Sequence, residues 1–371
     1  MLLILTGLFL LGYGGLISFY FYHWLHINEA KITGKAAIKI SVVVAARNEA
    51  LNIEALLQAL LRQTYPAAHF EIIIVDDFST DTTPAVISPY LNERIHLIRP
   101  EISAQQSSKK KAIEAGVNKA KGELIVVTDA DCIPGENWLS SLASHQQRTG
   151  AVFIAAPVKL SGNNSLLSIF QSLDFITLQG ITAASVASNV HSMCNGANLA
   201  YLKESFREVN GFEGIDKKAS GDDMLLMYKI WQKHPEEVQY LKSSDAIVST
   251  SGVQSWKEFI WQRIRWSSKA TYYKDKRITG VLLFIYLFNL FFFVLVTGCV
   301  LGKVPWLFLW YYLCGKTIIE FPFVYAVARF YKEQKLMWYF PFFQPLHIFY
   351  TVSIGLLSQF GTYQWKGRTT K

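Results

Sequence analysis

Apolar and polar positions divide this chain into two kinds of territory. Residues 2–22 form an uncharged apolar run of about the ~20 residues a helix needs to cross a bilayer. From 38 to about 252 the pattern changes. Short β-branched runs at 40–45, 71–75, 94–98, 123–128 and 151–155 alternate with longer stretches of helical period such as 50–62 and 109–120. That alternation predicts βαβ units and a mainly parallel sheet with flanking helices, an α/β fold. Residues 256–273 then mix Trp256, Phe259, Ile260, Trp261, Ile264 and Trp266 with basic side chains, the composition of a helix lying in a membrane interface. Apolar runs follow at 278–301, 304–330 and 337–360. Pro341 and Pro345 break the last, so it either spans kinked or lies partly in the interface.

The expected organisation is an anchor over 1–24, an α/β domain over 25–254, an amphipathic helix over 255–277, two or three transmembrane segments over 278–363 and a basic tail over 364–371. The first run lacks a basic leader and an A-x-A cleavage site, which predicts an uncleaved anchor. Tyr20, Phe21, Tyr22 and Trp24 read as an interfacial aromatic belt, with Lys31, Lys35 and Lys39 on the cytoplasmic side. The basic tail also argues for a cytoplasmic C-terminus, whereas four full spans would put both ends opposite the α/β domain. The number of C-terminal spans therefore stays open. The reading is an integral protein of the cytoplasmic (inner) membrane with its large domain facing the cytoplasm.

Composition agrees. Charged residues are 17% of the chain and hydrophobic ones 51%, against ~25% charged in soluble domains. The net charge of +8 is spread along the flanks of apolar runs. It forms no basic, aromatic-interleaved tract, so nucleic acid is not the expected partner and anionic lipid headgroups are. The 4 cysteines contain no C-x-x-C, which argues against a zinc site or disulfide framework and fits a reducing compartment.

Acidic residues supply the candidate chemistry. Asp76-Asp77 and Asp129-Ala130-Asp131 each follow an apolar run, so they fall past the carboxyl ends of predicted parallel strands, where open α/β sheets bind ligands. Carboxylates gathered there repel unless a divalent cation or a cationic side chain offsets them, which suggests a metal-assisted site for a phosphate-bearing substrate. Asp129 and Asp131 alternate across the strand end, leaving one to meet a metal and the other a ribose or a water. Asp77 suits a nucleoside, with Ser79 or Thr80 capping a helix near Asp81; a plain capped turn is the alternative. Glu49 is either part of the same site or an ordinary first-turn acid. Of Lys109, Lys110 and Lys111, two are expected on a solvated face and one near phosphate. Asp222 and Asp223 precede an apolar helix and serve either as its cap or as a general base. Gln262, Arg265 and Trp266 share one helix face, suited to a diphosphate and a stacked sugar, or to interfacial anchoring. Lys316 and Glu320, one turn apart in an apolar run, are expected to pair, since intramembrane charge is expensive.

VDDFSTDTT, the strand followed by DAD, NGANLAYLKESFREVNGF, GDD and QRIRW, in that order, closely resemble the membrane-bound family 2 glycosyltransferases of the GT-A fold. The resemblance covers about 38–270 and extends to cellulose, chitin and hyaluronan synthases and to lipid glycosyltransferases. It implies inverting transfer from a nucleotide-diphosphate sugar, usually a UDP-sugar, with Mg²⁺ or Mn²⁺ held by Asp131 and Asp129. Asp77, Glu49 and Lys109 would join Asp129, Asp131, Gln262 and Arg265 around the donor. Asp223, beside Asp222, would be the base. Trp266, Gly196 and Asn198 would face the acceptor. Gly221-Asp222 replaces the Thr-Glu common in processive synthases, and Ala45 stands where many members carry Pro.

A lipid or lipid-linked acceptor is the leading expectation, because about three C-terminal segments are few for a polymer channel. A processive polysaccharide synthase, assembled as a homo-oligomer or with partner subunits, is the alternative. A non-catalytic nucleotide-sugar binder would need no base, and a transporter would leave the large α/β domain unexplained.

Overall fold

The structure, a computed structural model, describes residues 2–33, 37–103, 108–190, 193–215, 221–268, 275–358, 363–365 and 368–370. Lys35 lies outside the described residues. Of the basic tail the backbone of 364–365 and 368–370 is described, within the antiparallel strands Tyr363–Trp365 and Arg368–Thr370.

Helix α1 (Leu2–His26) leads into β1 (Ile40–Ala46), α2 (Ile53–Leu61), β2 (Phe70–Asp76), α3 (Thr83–Ile87), β3 (Ile95–Ile98), α4 (Lys109–Lys119) and β4 (Leu124–Asp129). There follow β5 (Cys132–Pro134), α5 (Trp138–Thr149), β6 (Phe153–Ala155), β7 (Val158–Ser161) and α6 (Leu166–Ala187). Next come β8 (Leu199–Leu202), α7 (Lys203–Glu208), α8 (Asp222–Trp231), β9 (Val238–Tyr240) and β10 (Val248–Ser251). The chain closes with α9 (Trp256–Ser267), α10 (Lys276–Val300), α11 (Trp306–Phe330) and α12 (Phe340–Leu357).

Seven strands form one sheet in the order β3-β2-β1-β4-β8-β6-β9, and β5-β10-β7 form a smaller one. The pairs joining β3, β2, β1 and β4 are parallel, while β8 is antiparallel to both β4 and β6. The β-branched runs are apolar throughout because the sheet is covered on both faces. Val43, Ile73, Val75 and Val127 enter one core; Val42, Val44, Ile72 and Val126 enter the other, with α2 and α5. Helix α4 packs closely on β1 because residue 116 is glycine. A Cβ there would come 2.4 Å from Val43 Cγ1.

The chain steps from β1 to β2 to β3 on one side of β1, then returns to β4 on the other. This reversal opens a crevice at the carboxyl ends of β1 and β4. Ala46 pairs with Asp76 and Ala45 with Asp129, so both acidic motifs reach that edge.

Among the described residues, five helices are long and apolar enough to cross a membrane: α1, α6, α10, α11 and α12. Helix α6 differs from the others because 72% of its apolar window is buried. It links the sheet to the bundle, and α1, α6, α11 and one face of the sheet share a single core that includes Tyr13, Ile176, Phe323 and Val127. Gly180 is the close-approach point, where a Cβ would lie 2.5 Å from Val327 Cγ2 of α11.

Two expectations for α1 need correction. Tyr20 and Trp24 are buried against protein, leaving the exposed Tyr22 to suit a membrane belt. Lys242 explains the burial of Trp24. Its ammonium sits 4.2 Å from the Trp24 ring centroid and donates to the carbonyls of Trp24 and Ile27, fastening the end of α1 to the α/β domain. In α9 a Ser255–Glu258 capping box starts the helix. Trp256, Ile260 and Trp261 stay exposed while Phe259 and Ile264 are buried. The broken last segment forms one helix, with Pro341 in its first turn and Pro345 inside it.

Candidate active site

Three acidic residues and one lysine meet at the crevice. Lys109 Nζ, from the first turn of α4, lies 2.5 Å from Asp129 Oδ1 at the end of β4 and 3.8 Å from Asp222 Oδ2. Asp223 closes the group, accepting the Gly196 N–H at 2.9 Å and the Met224 N–H at 2.8 Å. Burial works against the Lys109 charge, but Asp129, Asp222 and Asp223 outweigh it and hold the ammonium well above its ordinary range. Asp131 turns toward the smaller sheet, where Thr250 Oγ1 donates to it at 3.3 Å. Burial, Asp129 and Asp131 push the Cys132 thiol up.

The neighbourhood of Asp223 has a local cause. Gly221 caps α8 in the left-handed region at φ 84°, a conformation glycine adopts without steric cost. Asp223 is therefore an acid inside the first turn, not the cap. Its Oδ2 ties α8 to the 195–198 loop while Oδ1 accepts from Met224 within the helix, and Gly196 is small enough to bring the loop backbone against it. A Cβ there would lie 3.4 Å from both Asp223 Oδ2 and Lys109 Nζ.

On the β2 side, Asp76 is occupied. Arg99 donates to it at 2.6 and 3.1 Å, and the Ser79 N–H donates at 3.0 Å. Asp77, next along, is buried, and its backbone carbonyl accepts from Arg47 at 2.7 Å. Glu49 is also buried and takes a 2.8 Å bond from Asn52 Nδ2 at the start of α2.

Several expectations are revised. Neither Ser79 nor Thr80 caps α3. Ser79 Oγ accepts from Asn48 N–H, while Asp81 accepts from the Thr83 amide. Of the three lysines only Lys111 is on a solvated face, paired with Glu114. Lys110 is buried and donates to the Ile215 carbonyl at 2.7 Å. Lys109 meets carboxylates. Asn198 does not face an acceptor. It is fully buried, donates to the Pro157 and Ala246 carbonyls at 2.7 and 2.8 Å, and accepts from Trp138 Nε1 at 2.9 Å.

Beside this cluster lies a cavity of about 690 Å³, walled by α1, α6, α9, α10, α11 and α12, with Met224 at the cluster end. Its volume falls in the ~300–1,000 Å³ range of ligand sites. Helix α9 contributes Arg263, Trp266 and Ser267 to its wall, but not Gln262 or Arg265. Arg263 escaped sequence reasoning because the i, i+3, i+4 face skips it. It pairs with Asp174 at 2.6 Å, with its guanidinium 4.1 Å from the Trp266 ring centroid. The available signal was Asp174 itself, the one acid in the apolar sequence of α6.

Among the described residues no group of three His, Cys, Asp or Glu side chains could hold a metal. Asp129 and Asp131 remain hard oxygen donors at one strand end. They fit an ion that takes one or two protein carboxylates and completes its shell with phosphate oxygens and water.

Residues 41–209 match the Glycosyl transferase family 2 model, and the chain carries a domain of that family. It is 25% identical over 274 residues to the probable glycosyltransferase YdaM of Bacillus subtilis, covering 69% of this chain and 63% of YdaM. It is 30% identical over 128 residues to a beta-monoglucosyldiacylglycerol synthase of Nostoc sp., covering 34% of this chain and 27% of that protein. The chain thus spans less than two thirds of either relative's length. The mannosyltransferase PcManGT from Pyrobaculum calidifontis, solved in complex with GDP-Man and Mn²⁺, superposes with a TM-score of 0.61 at 18% identity, covering 95% of this chain and 97% of that one. The fold is therefore GT-A-like.

Proposed function

We propose that the protein is an inverting glycosyltransferase that moves a sugar from a nucleoside-diphosphate sugar to a lipid acceptor at the membrane. One observation carries the acceptor class. Met224, whose amide donates to Asp223, also lines the apolar cavity between the α/β domain and the candidate membrane helices. A lipid in that cavity would bring its reacting group to the acidic cluster without leaving an apolar environment.

In this reading Asp77 and Glu49 hold the nucleoside, and Asp129 and Asp131 hold Mg²⁺ or Mn²⁺ against the diphosphate. The ion would supply charge neutralisation on the departing group. Asp223 takes the proton of the acceptor hydroxyl as its oxygen bonds to the anomeric carbon and the bond to the diphosphate breaks. Lys109 keeps Asp129 fixed and places a permanent cation beside the leaving group. Gln262 and Arg265 remain candidates for the diphosphate, and Trp266 for the acceptor side. A uridine donor is the first to try.

The test is direct. The full chain, purified and reconstituted in lipid, is incubated with labelled UDP- and GDP-sugars and Mg²⁺ or Mn²⁺, and the products are separated by organic extraction. Label in the organic phase, dependent on Asp223, is expected. Label appearing only in a water-soluble polymer would replace this reading with a polymer synthase.

A further inference from the structure

The cavity has a polar wall that sugar transfer does not itself require. Asp174 and Arg263 meet across it, and His347 Nε2 lies 3.8 Å from Asp174. Both members of the pair are almost wholly inaccessible, with Arg263 and Asp174 side chains 3% and 5% exposed. Arg263 Nη2 and Asp174 Oδ2 meet each other in that pair, whereas Nε and Nη1 of Arg263 and Nδ1 of His347 are buried without a hydrogen-bond partner among the described residues. The Tyr350 hydroxyl stands beside the pair. A buried donor or acceptor left unmet is destabilising, because it has given up water and gained no partner. Two guanidinium N–H groups and one imidazole nitrogen on one cavity wall call for a ligand that accepts from Arg263 and bonds to His347.

Charge narrows the ligand further. Asp174 balances Arg263, and Glu320, also on the wall, is balanced by Lys316 at 2.5 Å. His347 adds a cation only when protonated. The described wall therefore has no cation to spare. A phosphate there would sit beside two carboxylates with its charge uncompensated, which carries a desolvation penalty. A hydroxyl carries no such penalty, accepting from Arg263 and bonding to His347.

We propose that this wall binds the uncharged, hydroxyl-bearing headgroup of an acyl lipid, with the chains in the apolar cavity and one hydroxyl presented past Met224 to Asp223. The inference rests on the lipid-acceptor reading and specifies its substrate class: a neutral glyceride or its glycoside, not a lipid phosphate.

Nanodiscs of phosphatidylcholine containing the full chain are supplied with the labelled nucleotide-sugar it turns over. Dioleoylglycerol, its monoglucoside or a polyprenyl phosphate is added at equal mole fraction. Transfer to one of the neutral lipids should exceed transfer to the phosphate by at least about tenfold, the factor that 1.4 kcal/mol represents. Preference for the phosphate, or equal use of both, would overturn the headgroup assignment and leave the lipid-acceptor reading standing. Glycosylation of a soluble oligosaccharide alone would overturn both.

Two variants add a readout that structural damage would not mimic. Arg263→Gln should raise KM for the neutral lipid by about tenfold and leave donor KM unchanged. Asp174→Asn frees a cation and should shift the ratio toward the phosphate lipid. If either fails to fold, the wild-type acceptor competition still decides.

Discussion

Lys109 Nζ and Asp129 Oδ1 stand 2.5 Å apart at the junction of α4 and β4, so the first acid of the DAD motif has a counter-charge from its own chain. The lysine is fixed by a helix that begins at the crevice, with Ser108 Oγ accepting the Lys111 N–H as its cap. Charge repulsion among Asp129, Asp222 and Asp223 is thus relieved before any ligand arrives.

Removing that charge tests its contribution. Lys109→Gln should lower kcat/KM for the nucleotide-sugar by about 10²-fold, the scale on which a desolvated cationic partner acts. Circular dichroism should be unchanged. Lys109→Arg should recover part of the loss. A Gln variant with ordinary steady-state kinetics would remove Lys109 from the site.

Asp223→Asn keeps an oxygen to accept from Gly196 or Met224 but cannot take a proton. Expression, thermal stability and donor affinity should stay near wild type, with turnover down about 10²–10⁴-fold, the contribution of a general base. Asp222→Asn should be milder. Ordinary turnover in Asp223→Asn would return the residue to a purely structural role in α8.

Chelation should abolish transfer, and Mg²⁺ or Mn²⁺ should restore it. Asp131→Ala should weaken donor binding in a titration followed by calorimetry, with circular dichroism unchanged. Full activity in excess chelator would refute the metal assignment.

The Lys316–Glu320 pair can be tested by a double-mutant cycle. Glu320 also accepts from Tyr13, and Gln344 joins both members, at 2.7 Å to Lys316 and 2.6 Å to Glu320. Lys316→Met or Glu320→Leu alone should each cost about 3–5 kcal/mol by stranding a buried charge, and the double variant less than either. Additive losses in thermal unfolding in detergent would contradict the coupling.

His145 on α5 provides a pH test. Burial, then the nearby Arg148, lowers its pKa from 6.5 to about 4, so folding favours the neutral imidazole. Its contribution is complete above 6.5 and is lost as pH falls toward 4, because the unfolded chain takes up a proton that the folded one refuses. The separation is worth about 3 kcal/mol. Between pH 6.5 and 4, His145→Gln should lose less stability than wild type. Parallel curves would show that other groups dominate.

The periodic parts of the molecule were legible in the sequence. The runs at 40–45, 71–75 and 123–128 appear as β1, β2 and β4, because a strand covered on both faces must be apolar along its whole length. The Lys316–Glu320 pairing was also legible, since the two residues lie one helical turn apart in a run with no water to solvate them. Within the site, the positions of Asp129 and Asp131 followed from the strand that precedes them. The roles of Glu49, Asn198 and Lys110 did not, because local pattern says nothing about what covers a side chain.

The sequence by itself determined the βαβ order, the apolar helices and the placement of acids at strand ends, since each depends on neighbours within one or two turns. Only the tertiary structure decided that Lys109 faces three carboxylates, that Asn198 braces the core and that Arg263 meets Asp174. Those partners lie 20 to 114 positions apart, Lys109 being 20 from Asp129 and Asp174 and Arg263 lying at 174 and 263, with Lys109 and Asp223 the widest pair. Charge pairing and burial depend on distance in space. Distance in space is fixed only when the sheet order, the β1–β4 reversal and the packing of α6 on α11 are all in place.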